Sequence, residues 1–199
     1  MIDWDKLVKT FSQEGFSVRK FSDSKAVKEY LLVQLRGKTV GFGGSMTLKQ
    51  MGLYESLSPI ADVHWHWITN DRETKEKANL ADVYILSANG IAETGEIINI
   101  DGAGNRVSAS LYGPRTVIYV IGRNKIAPDF EKALARARNI AAVKNAQRFN
   151  VDTPCVRSGG ERCFDCKSPD RICNGFVTIT RPMMGQRVEL LFVDQDLGY

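Results

Sequence analysis

The sequence predicts an α/β protein with a mainly parallel sheet and helices on both faces. Three observations carry that prediction. Short apolar runs bounded by glycine or polar residues recur along the chain, as in Val83-Tyr84-Ile85-Leu86 and Thr116 to Ile121; such runs mark strands buried on both faces. Segments with apolar residues at helical spacing alternate with these runs, the order a parallel sheet requires. Polar, glycine-containing loops follow the strands, where open α/β sheets place their ligands.

Taken in order, Trp4, Leu7, Val8 and Phe11 make Asp3 to Gly15 an amphipathic helix with a glycine stop. Phe16 to Phe21 alternates as a strand. Ser22 or Asp23 can cap a helix over Ser24 to Arg36, with Gly37 ending it. Lys38 to Phe42 is a short strand running into Gly43-Gly44-Ser45, and Ser45 caps a helix from Met46 to about Leu57. Val63-His64-Trp65-His66-Trp67 alternates, which puts the histidines on one strand face and the tryptophans on the other. Asp71 to Ala81 is a charged helix. Val83 to Leu86, Ile97 to Ile100 and Thr116 to Ile121 are strands separated by Ser87-Ala88-Asn89-Gly90, by Ala92 to Glu96 and by the turn Asp101-Gly102-Ala103-Gly104-Asn105. A helix runs from Pro128 to about Phe149, and a cysteine-rich segment spans 150–175. Phe176 to Thr180 and Arg187 to Val193 read as a closing strand pair, an antiparallel annex. One domain, 1–199, with the cysteine segment as an insertion near its end, is the simplest organisation.

With 199 residues, 43% hydrophobic and 25% charged, the chain has ordinary globular composition and enough length for one substantial core. The net charge of +4 is spread out, with no Lys/Arg run, so it suits anionic small ligands and not nucleic acid. The start shows no basic segment followed by an apolar one, and no apolar stretch reaches membrane-spanning length. The expected compartment is the cytoplasm, where clustered cysteines more often hold metal than form disulfides.

Four groups of residues could carry chemistry. Gly43-Gly44-Ser45 joins a strand to a helix start, a place that favours phosphate or carboxylate; the plain alternative is a helix cap after a tight turn. Glu93, with Thr94, Gly95 and Glu96 beside it, could act as nucleophile or general base; either carboxylate could equally be a solvated loop residue. Both loops follow apolar strands, so Gly43, Gly44 and Ser45 are expected to face Asn89, Glu93, Thr94 and Gly95 across one pocket. His64 and His66 fit a half-buried sheet face better than a metal site. Cys155, Cys163, Cys166 and Cys173 give the spacing Cys-x7-Cys-x2-Cys-x6-Cys, which can complete a four-thiolate shell for zinc or an iron–sulfur cluster.

Several separated runs then point to a family. Gly43-Gly44-Ser45-Met46-Thr47-Leu48, Ser87 through Glu96, Asn99-Ile100-Asp101-Gly102 with Gly104-Asn105-Arg106, and Val120-Ile121-Gly122 with Asn124-Lys125-Ile126 together resemble the LUD-domain family, the lactate utilisation proteins. The ending Thr153-Pro154-Cys155 through Cys173 is similar to a subgroup of small LUD proteins. The resemblance implies a fold like ribose-5-phosphate isomerase and the CoA transferases, whose strand–glycine–helix loops bind phosphate or acyl-CoA. Glu93-Thr94-Gly95 is similar to the loop carrying the acyl-accepting carboxylate of some CoA transferases. The family works in oxidation of L-lactate to pyruvate by a complex with iron–sulfur subunits. This chain has no eight-cysteine ferredoxin-like region, so it would not be the main electron carrier.

The function expected is therefore a LUD-domain protein of lactate or related organic-acid metabolism. It would bind a small anionic metabolite and carry a four-cysteine centre, a 4Fe-4S cluster in preference to zinc because the family is redox-active. The alternatives are an assembly or regulatory subunit with structural zinc, and an acyl or phosphosugar enzyme using Glu93. Other lactate-utilisation subunits and a second copy of the chain are candidate partners; nucleic acid and membrane are not expected.

Overall fold

The computed structural model describes residues 2–199. Its strands are β1 (Ser17–Phe21), β2 (Thr39–Phe42), β3 (Asp62–Trp65), β4 (Val83–Leu86), β5 (Gly90–Ala92), β6 (Ile97–Asp101), β7 (Thr116–Gly122), β8 (Ile126–Ala127), β9 (Gly175–Ile179) and β10 (Arg187–Val193). Its helices are α1 (Trp4–Gln13), α2 (Ser24–Gln34), α3 (Met46–Gln50), α4 (Leu53–Leu57), α5 (Arg72–Asn79), α6 (Asn105–Leu111), α7 (Phe130–Arg136), α8 (Val143–Phe149) and α9 (Pro154–Arg157).

Six strands form one wholly parallel sheet in the order β1-β10-β7-β4-β2-β3. Its central strands bury alternate side chains in two different cores. Val117, Tyr119, Ile121, Leu190, Phe192, Tyr84 and Leu86 face α1, where Leu7 and Phe11 pack on them, together with Ala78 of α5 and Ala109 of α6. Ile118, Val120, Leu191, Val193 and Ile85 face the other way, onto Val27 and Leu31 of α2, Leu48 of α3 and Leu53 and Leu57 of α4. The helices on both faces explain the near-continuous apolar runs, since neither side of a central strand meets water. Asp3, Asp23, Asp71 and Asp129 each accept a backbone N–H at the start of α1, α2, α5 and α7, satisfying donors that a helix start leaves bare.

A second sheet, β8-β5-β6-β9, lies beside the first. In it β5 and β6 form an antiparallel hairpin, and Ala133 of α7, with Ala137 just beyond that helix, packs against Ala92 and Ile98.

Several elements differ from the sequence expectation, each for a physical reason. The last two strands do not pair with each other. β9 joins the second sheet antiparallel to β6, while β10 enters the main sheet parallel between β1 and β7; its run Val188 to Val193 is buried on both faces and apolar but for Glu189, which Arg19 and Tyr30 satisfy, as a central strand requires. The helix expected over Met46 to Leu57 is two short helices, broken where Gly52 takes a left-handed φ of 59°. The helix from Pro128 starts instead at Phe130, capped by Asp129, and contains a π-helical stretch at Ala137–Ala142. Strand β3 stops at Trp65, so His66 and Trp67 leave its alternation and Trp67 stacks on Trp65 with ring centroids 5.2 Å apart. The short helix α6 follows the glycine turn at 101–104, whose left-handed Gly104 sets its start.

Phe192 holds the α1 face together, with ring centroids 6.3 Å from Trp4 and 5.7 Å from Phe11. Phe192→Ala is expected to lower stability by about 3–5 kcal/mol, as truncated buried aromatics do, read as a shift of the urea midpoint with unchanged slope.

Candidate functional site

Loops from five parallel strands converge on one cleft of about 830 Å³. Gly44 and Ser45 follow β2, His66 and Trp67 follow β3, Ser87 to Asn89 follow β4, Lys125 follows β7, and Tyr199 lies on the tail after β10. The opposite wall comes from the end of β6, the start of α6, Ala141 to Phe149, and Arg171, Ile172 and Asn174 of the cysteine loop. This is where a doubly wound sheet collects its loops. Gly43 and Gly44 keep the β2 loop thin. A Cβ on Gly43 would stand 2.9 Å from Arg106 Cγ, and one on Gly44 3.0 Å from Trp67 Nε1. Ser45 Oγ accepts the Leu48 N–H of α3 at 3.4 Å, so Ser45 is both a helix cap and part of the cleft wall.

Arg106 fixes the floor. Its Nη1 donates to Ser87 O at 3.1 Å and Asn99 Oδ1 at 2.6 Å; its Nη2 donates to Asn89 Oδ1 at 3.0 Å and Ile100 O at 2.7 Å. Its Nε lies 3.5 Å from Asp101 Oδ2. Asn89 Oδ1 also accepts the Ile100 N–H at 2.8 Å. Both side chains are thus largely spent on protein partners and position the cleft. Arg136 holds the same loops from behind, donating to Asn89 O at 2.5 Å and Asn124 O at 2.7 Å; burial lowers its pKa to about 10.

Lys125 is buried in the cleft floor, 3% exposed. Its amine donates to Ser87 Oγ at 2.8 Å and Thr47 Oγ1 at 2.9 Å. No ion pair joins it to a carboxylate among the described residues. Burial first, then Arg136 and Arg106, push its pKa well below the ordinary lysine range.

The walls carry Lys49, Lys75, Arg106, Lys125, Arg148 and Arg171, against one carboxylate, Asp101. Arg148 lies 4.7 Å from the Trp67 ring centre and 4.0 Å from that of Phe149, which holds the guanidinium at the cleft edge. His66 is pulled below its usual pKa by burial, with Lys75 and Arg148 adding to the shift and Asp101 opposing it.

Next to the cleft, all four cysteines line a second cavity of about 20 Å³, with Arg138, Thr153 and Phe164. All are free thiols. Among the described residues no group of three or more His, Cys, Asp or Glu side chains is arranged to hold a metal ion, so the sulfurs share a wall without converging. Cys163 Sγ accepts the Asp165 N–H at 3.4 Å and lies 4.0 Å from Arg138 Nη2. The π-helical stretch contributes to each cavity: Asn139 Oδ1 accepts the Cys163 N–H at 3.1 Å, and Ala142 lines both spaces. Arg171 also borders both, donating to Cys166 O and Cys173 O at 2.8 Å each.

Of the residues singled out from the sequence, Gly44, Ser45 and Asn89 meet at the cleft, and Gly43 lies just behind it against Arg106. Glu93, Thr94 and Gly95 do not face them, which corrects the one-pocket expectation. They form the turn between β5 and β6, at the end of that hairpin remote from Asn89. A Cβ on Gly95 would contact Thr10 Cγ2 and Glu14 Cγ of α1, at 3.4 and 3.7 Å. A short antiparallel strand runs the chain away from the Asn89 loop before it turns, so closeness in sequence became distance in space. Arg148 and Arg171 were not singled out, and Arg106 and Lys125 appeared only in family-like runs. The available signal for Lys125 was a lysine just past a buried strand, followed by the apolar pair Ile126-Ala127.

A sequence profile described as the LUD domain matches residues 4–193. The crystal structure of a DUF162 family protein from Deinococcus radiodurans superposes with a TM-score of 0.53 at 14% identity, covering 96% of this chain and 95% of the other; at that identity the likeness concerns the fold. No curated protein matches the chain. No helix among the described residues is long and apolar enough to cross a membrane.

Lys125→Met removes a buried amine and retains its length. It is expected to stay folded and to gain about 1–3 kcal/mol at neutral pH, the cost typical of a buried polar group. The folded pKa lies below the unfolded 10.5, so the unfolded chain binds more protons in the window between them, and native stability rises with pH there. The advantage of Lys125→Met should therefore shrink as pH approaches 10.5, measured as urea midpoints across that range. A gap independent of pH would show that Lys125 is charged in the folded protein.

Proposed function

The chain belongs to the LUD-domain family, and on that footing we propose that it binds a small organic anion in the cationic cleft, within lactate or related organic-acid metabolism. The observation that carries this reading is the charge of the walls. Apart from Lys125, whose charged form burial disfavours, five Lys or Arg side chains (Lys49, Lys75, Arg106, Arg148, Arg171) surround the cleft with only Asp101 to balance them, in a volume within the usual range for small-molecule sites. Arg106 and Arg171 are committed to protein carbonyls, so Lys49, Lys75 and Arg148 are the wall cations left to meet a carboxylate. Trp67 and Phe149 supply apolar surface for a short carbon chain.

The same reading makes the four cysteines a metal site. Their chemistry and number suit a tetrahedral thiolate shell, and they border one cavity. The four sulfurs do not converge in this structure, and four sulfurs around a single zinc ion ask a smaller rearrangement of the loop than the larger volume of a 4Fe-4S cluster. When bound, such an ion supplies folding energy to a segment with little apolar content. The protein's own part is to gather the thiols, with Arg138 and the Asp165 N–H placed beside the Cys163 sulfur.

Calorimetric titration with L-lactate, pyruvate and phosphate tests the cleft. At least one is expected to bind with an affinity that falls as salt is raised. Arg148→Glu with Lys49→Glu should weaken it at least about tenfold, equivalent to about 1.4 kcal/mol. Absence of binding by all three would sink the reading. Metal analysis of anaerobically purified protein tests the second site: about one zinc per chain is expected from a four-thiolate site, and none in Cys166→Ser. Iron with visible absorption would replace zinc by a cluster, and neither metal would remove the site.

A further inference from the structure

The anion-binding reading leaves Lys125 without a task. Its amine sits at the cleft floor with two partners, Ser87 Oγ and Thr47 Oγ1. An ammonium has three N–H donors, so a charged Lys125 would leave one bare. A neutral amine has two, both used here, and a lone pair in the remaining position. The charged groups acting on it, Arg136 and Arg106, are both cations and disfavour the ammonium. A neutral amine in a desolvated pocket is the arrangement that makes lysine a nucleophile.

Buried carboxylates elsewhere in the protein show the contrast. Glu189, also 3% exposed, accepts from Tyr30 Oη at 2.6 Å and Arg19 Nε at 3.1 Å. A side chain buried for structure alone is paired in this way; Lys125 is aimed at a cleft and left without a counter-ion.

We propose that Lys125 is a nucleophile that forms an imine with the carbonyl of a small 2-oxo acid held in the cleft. This rests on the cleft's binding an organic anion, with rim cations such as Lys49 and Arg148 taking the carboxylate. The nitrogen lone pair attacks the carbonyl carbon, and the oxygen takes a proton to give a carbinolamine. The nitrogen loses its second proton, the C–O bond breaks, and water leaves as C=N forms. No oxidant or reductant is consumed. Ser87 and Thr47, both in contact with the amine, are the hydroxyls placed to pass protons between nitrogen and oxygen.

The test is reductive trapping. Native protein is incubated at neutral pH with pyruvate or glyoxylate and cyanoborohydride, then mapped by peptide mass spectrometry. One adduct is expected, on Lys125, with a mass gain equal to the acid less one oxygen atom. Its rate should exceed that of other lysines by at least about tenfold, the factor a one-unit fall in pKa gives in unprotonated amine. L-lactate, which has the carboxylate but no carbonyl, should slow the labelling, and Lys125→Met should abolish it. If that variant fails to fold, mapping of the native adduct decides alone. Pyruvate that binds by calorimetry yet gives no adduct, or adducts spread evenly over surface lysines, would overturn the imine and leave the cleft reading standing. Neither binding nor trapping would overturn both.

Discussion

Arg106 joins the two sheets, and the cleft exists because of that join. One guanidinium reaches the loop after β4 through Ser87 and Asn89, and the second sheet through Asn99 and Ile100. These are charge-assisted hydrogen bonds in a largely dry place, stronger than their surface counterparts. The arginine is delivered by α6, whose start is fixed by the turn in which Asp101 Oδ1 accepts the N–H groups of Ala103 and Gly104 at 3.2 and 3.1 Å. Gly43 is part of the same arrangement, since any side chain there would collide with the arginine stem. Without this clamp the β4 loop would have no fixed position, and Ser87, the acceptor for Lys125, would lose its own.

Charge is handled in two ways in this interior. On the β10 side, burial of Glu189 is offset by an arginine and a tyrosine that satisfy it. At the cleft floor, Lys125, Arg106 and Arg136 lie close to one another with Asp101 as the nearest balancing carboxylate in the walls. Like charges in a low-dielectric site are unfavourable, and the group that can yield is the lysine, because an arginine hardly ever gives up its proton. The two arginines therefore shape the reactivity of the lysine while also holding the loops. This spends stability on a site instead of on the core, as functional sites commonly do.

The cysteine segment is a wall of the cleft as well as a candidate metal site. Arg171, Ile172 and Ala142 border both cavities. Arg171 is held by the carbonyls of Cys166 and Cys173, so its place at the cleft depends on the path of the loop that carries the thiols. A metal that drew the four sulfurs together would tighten that path. The π-helical stretch at Ala137–Ala142 serves both sides of the boundary, and such stretches are frequent at functional sites.

The parallel sheet was legible in the sequence, because a strand buried on both faces must be largely apolar, as Val83–Leu86 and Thr116–Ile121 are; β10 keeps that pattern except at Glu189, which is buried against Arg19 and Tyr30. The Asp23 cap was legible, as one of two candidates with Ser22, because capping is a contact over three residues. So was the glycine loop after β2, which lines the cleft as Gly44 and Ser45, and so were the family runs. What the sequence did not determine was partnership between distant segments. It could not say that β10 enters the sheet centre, nor that the turn carrying Glu93 and Gly95 lies at the far end of its hairpin while Asn89, a few residues earlier, stays at the cleft. Lys125 was ordinary in one dimension. It became a buried amine only when α3, the β4 loop and the C-terminal tail closed over it, bringing Thr47 and Leu197 together with Ser87. Local pattern sets what a segment becomes; burial and the charge around a group are sums over the whole fold, and only the tertiary structure supplies them.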